Sequence, residues 1–229
     1  MNIATGDYIQ FLDADDILAS NKIESQINYY KDNNWTQETL TFCKWTKLEI
    51  DISLMNNNHK SVWHNYDNPI DFLNDFIING CFLPLHAYLT PIKLINEAGK
   101  WNETLSKNDD GEFFARILSK ATSLHYCDDG VAYYRSTPNS LSKRMSHKAA
   151  MSQIESQILM AEIMRTNPNP RTNKAIYKMI NDSLRSFYPY YKYQRQIGEK
   201  YLNSMNLMAE YPSLNYKEWI YYLLHPSLH

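Results

Sequence analysis

Residues 6–18 read GDYIQFLDADDIL, an apolar run that stops at three carboxylates, Asp13, Asp15 and Asp16. Tyr8, Ile9, Phe11 and Leu12 predict a short buried strand over residues 8–12. Side chains two apart on an extended chain point the same way, so Asp13 and Asp15 are expected to converge where the strand runs out. In an open α/β sheet that is also where ligands collect. An all-oxygen pair suits a hard divalent ion, Mg²⁺ or Mn²⁺, which keeps waters and substrate phosphates as its other ligands. Taken alone, the same residues also read as a cap and turn before the next helix.

Working outward, Asn21 with Glu24 three residues on suggests a capping box, opening a helix with Ile23, Ile27 and Tyr30 inward. Residues 39–50 are rich in β-formers and read as strand, and 51–66 as a polar loop. Asn68-Pro69 opens a helix burying Phe72, Leu73, Phe76 and Ile77. A short strand is expected over 86–89, then a helix from Thr90-Pro91 to Gly99. Residues 109–120 form a helix, acidic in its first turn, and 131–135 a strand. Beyond residue 146 the periodicity is helical only, with breaks at NPNP (167–170) and Pro189. The division expected is an α/β part over 1–145 and an all-helical region over 146–229.

The bulk numbers narrow the function. A net charge of -2 over 229 residues gives no bias toward nucleic acid. Residues 140–200 nevertheless carry eleven Lys/Arg against four Asp/Glu, so the acidic motifs and the basic helices occupy different parts of the chain. Cys43, Cys81 and Cys127 form no C-x-x-C pair, and their odd number fits a reduced, cytoplasmic setting. No apolar run is long enough to span a bilayer. The aromatic YKEWIYYLLH segment reads as an amphipathic helix, either packed on the protein or lying at the inner face of the cytoplasmic membrane.

The second acidic stretch, WNETLSKNDDGEFFARIL (101–118), sets Asp109, Asp110 and Glu112 at a helix start, where ionised carboxylates are stabilised and a general base can be presented. Together the two stretches resemble family 2 glycosyltransferases. ATGDYIQFLDADDIL is similar to that family's A-x-G-x-Y-I-x-F-L-D-x-D-D signature, NDDGEFFARIL to its E-D-x-E-F-x-x-R segment, and GVAYYRSTPNSLS to the strand and loop that follow. HAYLTPIKLINEAGKWNETL also has the family pattern, and the resemblance covers roughly residues 4–145.

The resemblance implies a partial GT-A (Rossmann-like) nucleotide-sugar transferase domain followed by the helical region. It implies inverting sugar transfer from a nucleotide-diphosphate donor to a saccharide or lipid-linked acceptor hydroxyl, with Mn²⁺ or Mg²⁺. Asp15 and Asp13 would hold metal and donor, Asp110 would be the base, and Trp101 and Asp109 would meet the acceptor. Arg135, Ser140 and Ser142 would line the diphosphate, while Arg116 pairs with the acidic turn. The family's first βα units would stand ahead of Gly6, where this sequence has only five residues. An engineered cut, an internal start or a natural remnant would account for that. The expectation is that this polypeptide alone binds donor weakly or not at all and is inactive or weak in transfer, with an exposed strand edge open to dimerisation. Two other readings fit parts of the pattern: a haloacid dehalogenase-type phosphatase, from the strand followed by D-x-D, and a non-catalytic scaffold.

Overall fold

The structure, a computed structural model, describes residues 3–137, 145–213 and 220. In chain order the elements are β1 (Tyr8–Ile9), β2 (Ile17–Leu18), α1 (Lys22–Asp32), β3 (Thr39–Lys47), α2 (Asn57–Lys60), α3 (Pro69–Ile78), β4 (Tyr88–Pro91), α4 (Ile92–Ala98), α5 (Asp109–Lys120), β5 (Ser123–Tyr134), α6 (His147–Met164), α7 (Thr172–Phe187) and α8 (Lys192–Ser204). Two 3₁₀ turns, Ile52–Leu54 and Leu85–Ala87, complete the set.

Five strands form one mixed sheet in the order β1-β4-β3-β5-β2. β3 and β5 run parallel at its centre and the other pairs are antiparallel. β1 therefore points the same way as β3 and β5. Residues 10–16 leave its carboxyl end and cross to β2 on the opposite edge. That is four inter-strand steps, about 19 Å, within reach of the eight Cα steps from Ile9 to Ile17 even though residues 13–16 are folded into a turn. The acidic tip is thus carried over the carboxyl ends of the parallel strands.

Alternation along β3 assigns the layers. Thr41 Oγ1 accepts from Gln26 Nε2 of α1 at 3.1 Å, whereas the neighbouring Phe42 packs on Phe72 of α3 at 5.5 Å. Successive strand side chains face opposite sides, so α1 covers one face and α3, with α5, the other. α6 then packs on α5, α7 on α3, and α8 on both α6 and α7. One continuous set of buried apolar residues runs from Leu40 and Phe42 through Phe113 and Ile117 to Ile154, Ile180 and Phe187. Each such side chain contributes about 1.5–3 kcal/mol by leaving water.

Several expectations change. β1 ends at Ile9 rather than continuing to residue 12, and just beyond it Gln10 donates its side-chain amide to His86 O at 3.0 Å. Asn21 does not close a capping box: its Nδ2 donates to Asp129 O at 3.1 Å, tying α1 to β5. The inward face of α1 carries Lys22, Gln26 and Tyr30, and Ile23 is exposed. The polar residues displace it because their heads find partners: Lys22 Nζ donates to Tyr88 O at 3.0 Å and to Gln10 Oε1. Residues 86–89 divide into a 3₁₀ turn and the start of β4. β5 begins at Ser123, well before residue 131. Asp128, Asp129 and Gly130 form a bulge within β5, absorbed where the β3 register shifts between Cys43 and Lys44, with Asp128 and Asp129 exposed and Gly130 buried. The YKEWIYYLLH segment lies outside the described residues apart from Ile220. No helix among the described residues is long and apolar enough to cross a membrane.

Candidate active site

Asp13 to Asp16 form a closed turn, with Asp16 N donating to Asp13 O at 3.1 Å, not the extended strand end the sequence suggested. Asp16 is what bends it. Its carboxylate is buried, accepting from Arg135 N through Oδ1 at 2.7 Å, with Oδ2 3.1 Å from His86 Nδ1. Burial, reinforced by the Lys22 ammonium, pushes His86 down to about 4, so the ring is neutral near neutral pH. Burial pushes Asp16 upward, opposed by the Arg135 amide. With Asp16 drawn inward, Asp13 and Asp15 stay exposed at the tip.

The acidic turn at α5 is built differently. Trp101 Nε1 donates to Asp109 Oδ2 at 2.9 Å, and the indole packs on Phe113 at 4.3 Å and on Phe11 at 5.8 Å. Phe11 belongs to the segment carrying Asp13, so an aromatic wedge links the two acidic segments. Asp110 Oδ1 accepts from Gly111 N at 2.8 Å. Glu112 is buried and held by Arg116 through two bonds, at 2.7 and 2.9 Å, while Arg116 also donates to Ala98 O. The expected structural pairing of Arg116 is present.

One cleft of about 830 Å³ collects these groups. It is lined by residues 11–16, by Trp101, by residues 106–110 and by Phe82 and Tyr134, among others. Such a volume is in the range of small-molecule and cofactor sites. Asp13, Asp15, Trp101, Asp109 and Asp110 all face it. Their charges act on one another. Partial desolvation within the cleft raises the Asp13 carboxyl first, and Asp16, Asp15 and Asp109 raise it further against His86. Burial also raises Asp110, the Gly111 amide opposes this, and Asp109 and Asp13 add to the rise.

Arg135 is not among the lining residues. Its Nε donates to Asp15 O at 2.8 Å, so together with its backbone amide it clamps the tip from behind. Ser140 and Ser142 lie outside the described residues. Lys107 and Tyr134 line the cleft without having been singled out in the sequence. Lys107 sits one residue before the NDD run, and its proximity to that motif was the available signal.

The donor set fits a hard divalent ion bound jointly with a ligand. Asp13 and Asp15 offer carboxylate oxygens only, and among the described residues no group of three or more His, Cys, Asp or Glu is assembled that could hold a metal by itself. Two protein carboxylates with phosphate and water completing the shell is the habit of Mg²⁺.

Residues 1–79 match the family model described as Glycosyl transferase family 2. No curated protein matches the chain. Among solved structures, a crystal structure of S. aureus TarS 1-349 in complex with UDP-GlcNAc is similar, with a TM-score of 0.54 and 10% identity over 93% of this chain and 72% of that one. At that identity the likeness speaks for the fold. The chain therefore carries a glycosyl transferase family 2 segment at residues 1–79, within a mixed sheet and C-terminal helices arranged in a GT-A-like fold.

Proposed function

We propose that the cleft is the transfer site of an inverting glycosyltransferase that takes a sugar from a nucleotide-diphosphate donor to a saccharide or lipid-linked acceptor hydroxyl. The observation that carries this reading is the meeting of the Asp13/Asp15 tip and the Asp109/Asp110 turn in one cleft. The family match over residues 1–79 supports it, as does the nucleotide sugar bound by the structurally similar TarS.

Asp15 and Asp13 would hold Mn²⁺ or Mg²⁺, which when bound supplies Lewis-acid stabilisation of a departing diphosphate. Asp110 is the base. Its carboxyl is pushed upward by burial and by neighbouring anions, which makes it a better proton acceptor than a free aspartate. As the acceptor oxygen bonds to the anomeric carbon, its proton passes to Asp110 and the bond to the diphosphate breaks on the opposite face. Asp109, held by the Trp101 indole, and Trp101 itself orient the acceptor, a positioning task that accounts for much of such a barrier. Arg135 keeps the tip in register, and Lys107 lines the cleft beside the acidic turn. The phosphatase reading gains nothing from the geometry, since its second acidic motif would end a strand whereas Asp109 and Asp110 open α5.

The test is thermal denaturation with a panel of nucleotide-diphosphate sugars, with and without Mn²⁺. A ligand that binds only the folded chain stabilises by about 1.4 kcal/mol for each tenfold excess over its Kd. The expected result is a shift that needs both nucleotide and metal and is lost in Asp15→Asn. A nucleotide response indifferent to metal and to Asp15→Asn would overturn the assignment.

A further inference from the structure

The loop that carries Asp109 is fixed from outside its own helix. Ser106 N and Lys107 N both donate to Ser152 Oγ of α6, at 2.8 and 2.9 Å, and that hydroxyl donates back to Lys107 O at 2.9 Å. One helical turn on, Ser156 Oγ accepts from Asn108 Nδ2 at 2.9 Å, and Met160 Sδ lies 3.4 Å from the same nitrogen. Residues 152, 156 and 160 recur every fourth position and so share one face of α6. Ser152 is 4% exposed and Ser156 fully buried.

Two features indicate that these contacts set the position of the turn. A mid-helix serine commonly satisfies itself on its own helix, yet Ser152 directs its hydroxyl to a loop 45 residues away. Asn108, the residue preceding α5, is left-handed at φ 56 and makes no side-chain cap. That conformation costs a non-glycine residue on the order of 1 kcal/mol. Its amide is spent on α6 instead, and Gly111 leaves the space for it, since a Cβ there would stand 2.4 Å from Asn108 Oδ1.

We propose that Ser152 and Ser156 are positioning residues for Asp109 and Asp110, so that α6 sets where the acidic turn stands against the cleft. The catalytic consequence rests on the transferase reading; the positional one does not. Displacements of about 1 Å in a catalytic group can cost on the order of a hundredfold in rate.

The experiment uses the full chain with Ser152→Ala, Ser156→Ala and Ser152→Thr. Amide exchange is read at Ser106 and Lys107, and the Trp101 indole N–H signal reports its bond to Asp109. Ser152→Ala is expected to speed exchange at both amides by about fivefold, the loss of a bond of about 1 kcal/mol, and to shift the indole signal. Ser152→Thr, which keeps the hydroxyl, restores both. In a transfer assay kcat falls while the donor KM holds. If Ser152→Ala does not fold, Ser156→Ala carries the same test through the indole signal. Unchanged amides and indole in the alanine variants overturn the proposal, as does a loss that Ser152→Thr fails to recover. A wild-type chain that transfers no sugar defeats the transferase reading and leaves the exchange and indole readouts standing.

Discussion

Lys22→Met will change sign in its effect on stability as the pH rises. Lys22 is fully buried between α1 and the sheet, and burial, above all, pushes its ammonium from 10.5 down to about 8. At ~1.4 kcal/mol per tenfold, that gap corresponds to about 3 kcal/mol. Below about pH 8 both folded and unfolded chains carry the proton, so the fold bears the whole cost of the buried charge. From about 8 to about 10.5 the folded chain releases the proton and the unfolded chain keeps it, so stability rises with pH. Above that window both are neutral and the cost is gone.

Methionine matches the volume and does not titrate. It also leaves Tyr88 O and Gln10 Oε1 without the Lys22 donor, a loss of about 1–3 kcal/mol. The variant is therefore expected to equal or exceed wild type near pH 7 and to fall below it by about 1–3 kcal/mol near pH 10. Urea unfolding followed by tryptophan fluorescence under reducing conditions measures this, and tyrosine titrations common to both chains cancel in the difference. A difference that stays flat across the window refutes the reasoning.

Arg116→Ala strands the buried Glu112 carboxylate and will lower unfolding stability by about 3 kcal/mol, the low end of the range for a broken buried pair because Arg116 keeps some exposure; Arg116→Lys, lacking the two-pronged geometry, recovers only part. Gly111→Ala would gain about 1 kcal/mol at an ordinary helix site, but here it displaces Asn108, so urea titration will show no gain and the Asn108 side-chain amide signals will move. Trp101→Phe keeps the ring packing on Phe113 and removes the donor to Asp109, and thermal denaturation will register a loss of about 1 kcal/mol.

The acidic tip and the acidic turn were legible because spacing and order carry them: D-x-D-D after an apolar run, and D-D-G-E at the head of an amphipathic helix. The bounds of α5 followed from its acidic first turn and from the Phe113, Phe114, Ile117 and Leu118 face. What stayed hidden depends on partners distant in sequence. The inward Lys22 and Gln26 could not be read from periodicity, since an apolar pattern ranks Ile23 above them. The long β5 was masked by Asp128-Asp129-Gly130, a bulge that only pairing with β3 reveals. Arg135 reads as a phosphate ligand, and its Nε bond to Asp15 O, which joins residues far apart in sequence, appears only in the fold. The link from α6 to the acidic turn rests on two serines, which carry no sequence signal of their own.

The claim on which the rest depends is that Asp13/Asp15 and Asp109/Asp110 face one shared space able to hold a cation with a diphosphate. Paramagnetic broadening of backbone amides by Mn²⁺ in the presence of a nucleoside diphosphate tests it most directly. The account predicts that residues 13–16 and 107–110 broaden together, and that Asp13→Asn with Asp15→Asn abolishes both. Broadening confined to one of the two segments, or unaffected by those substitutions, would contradict it.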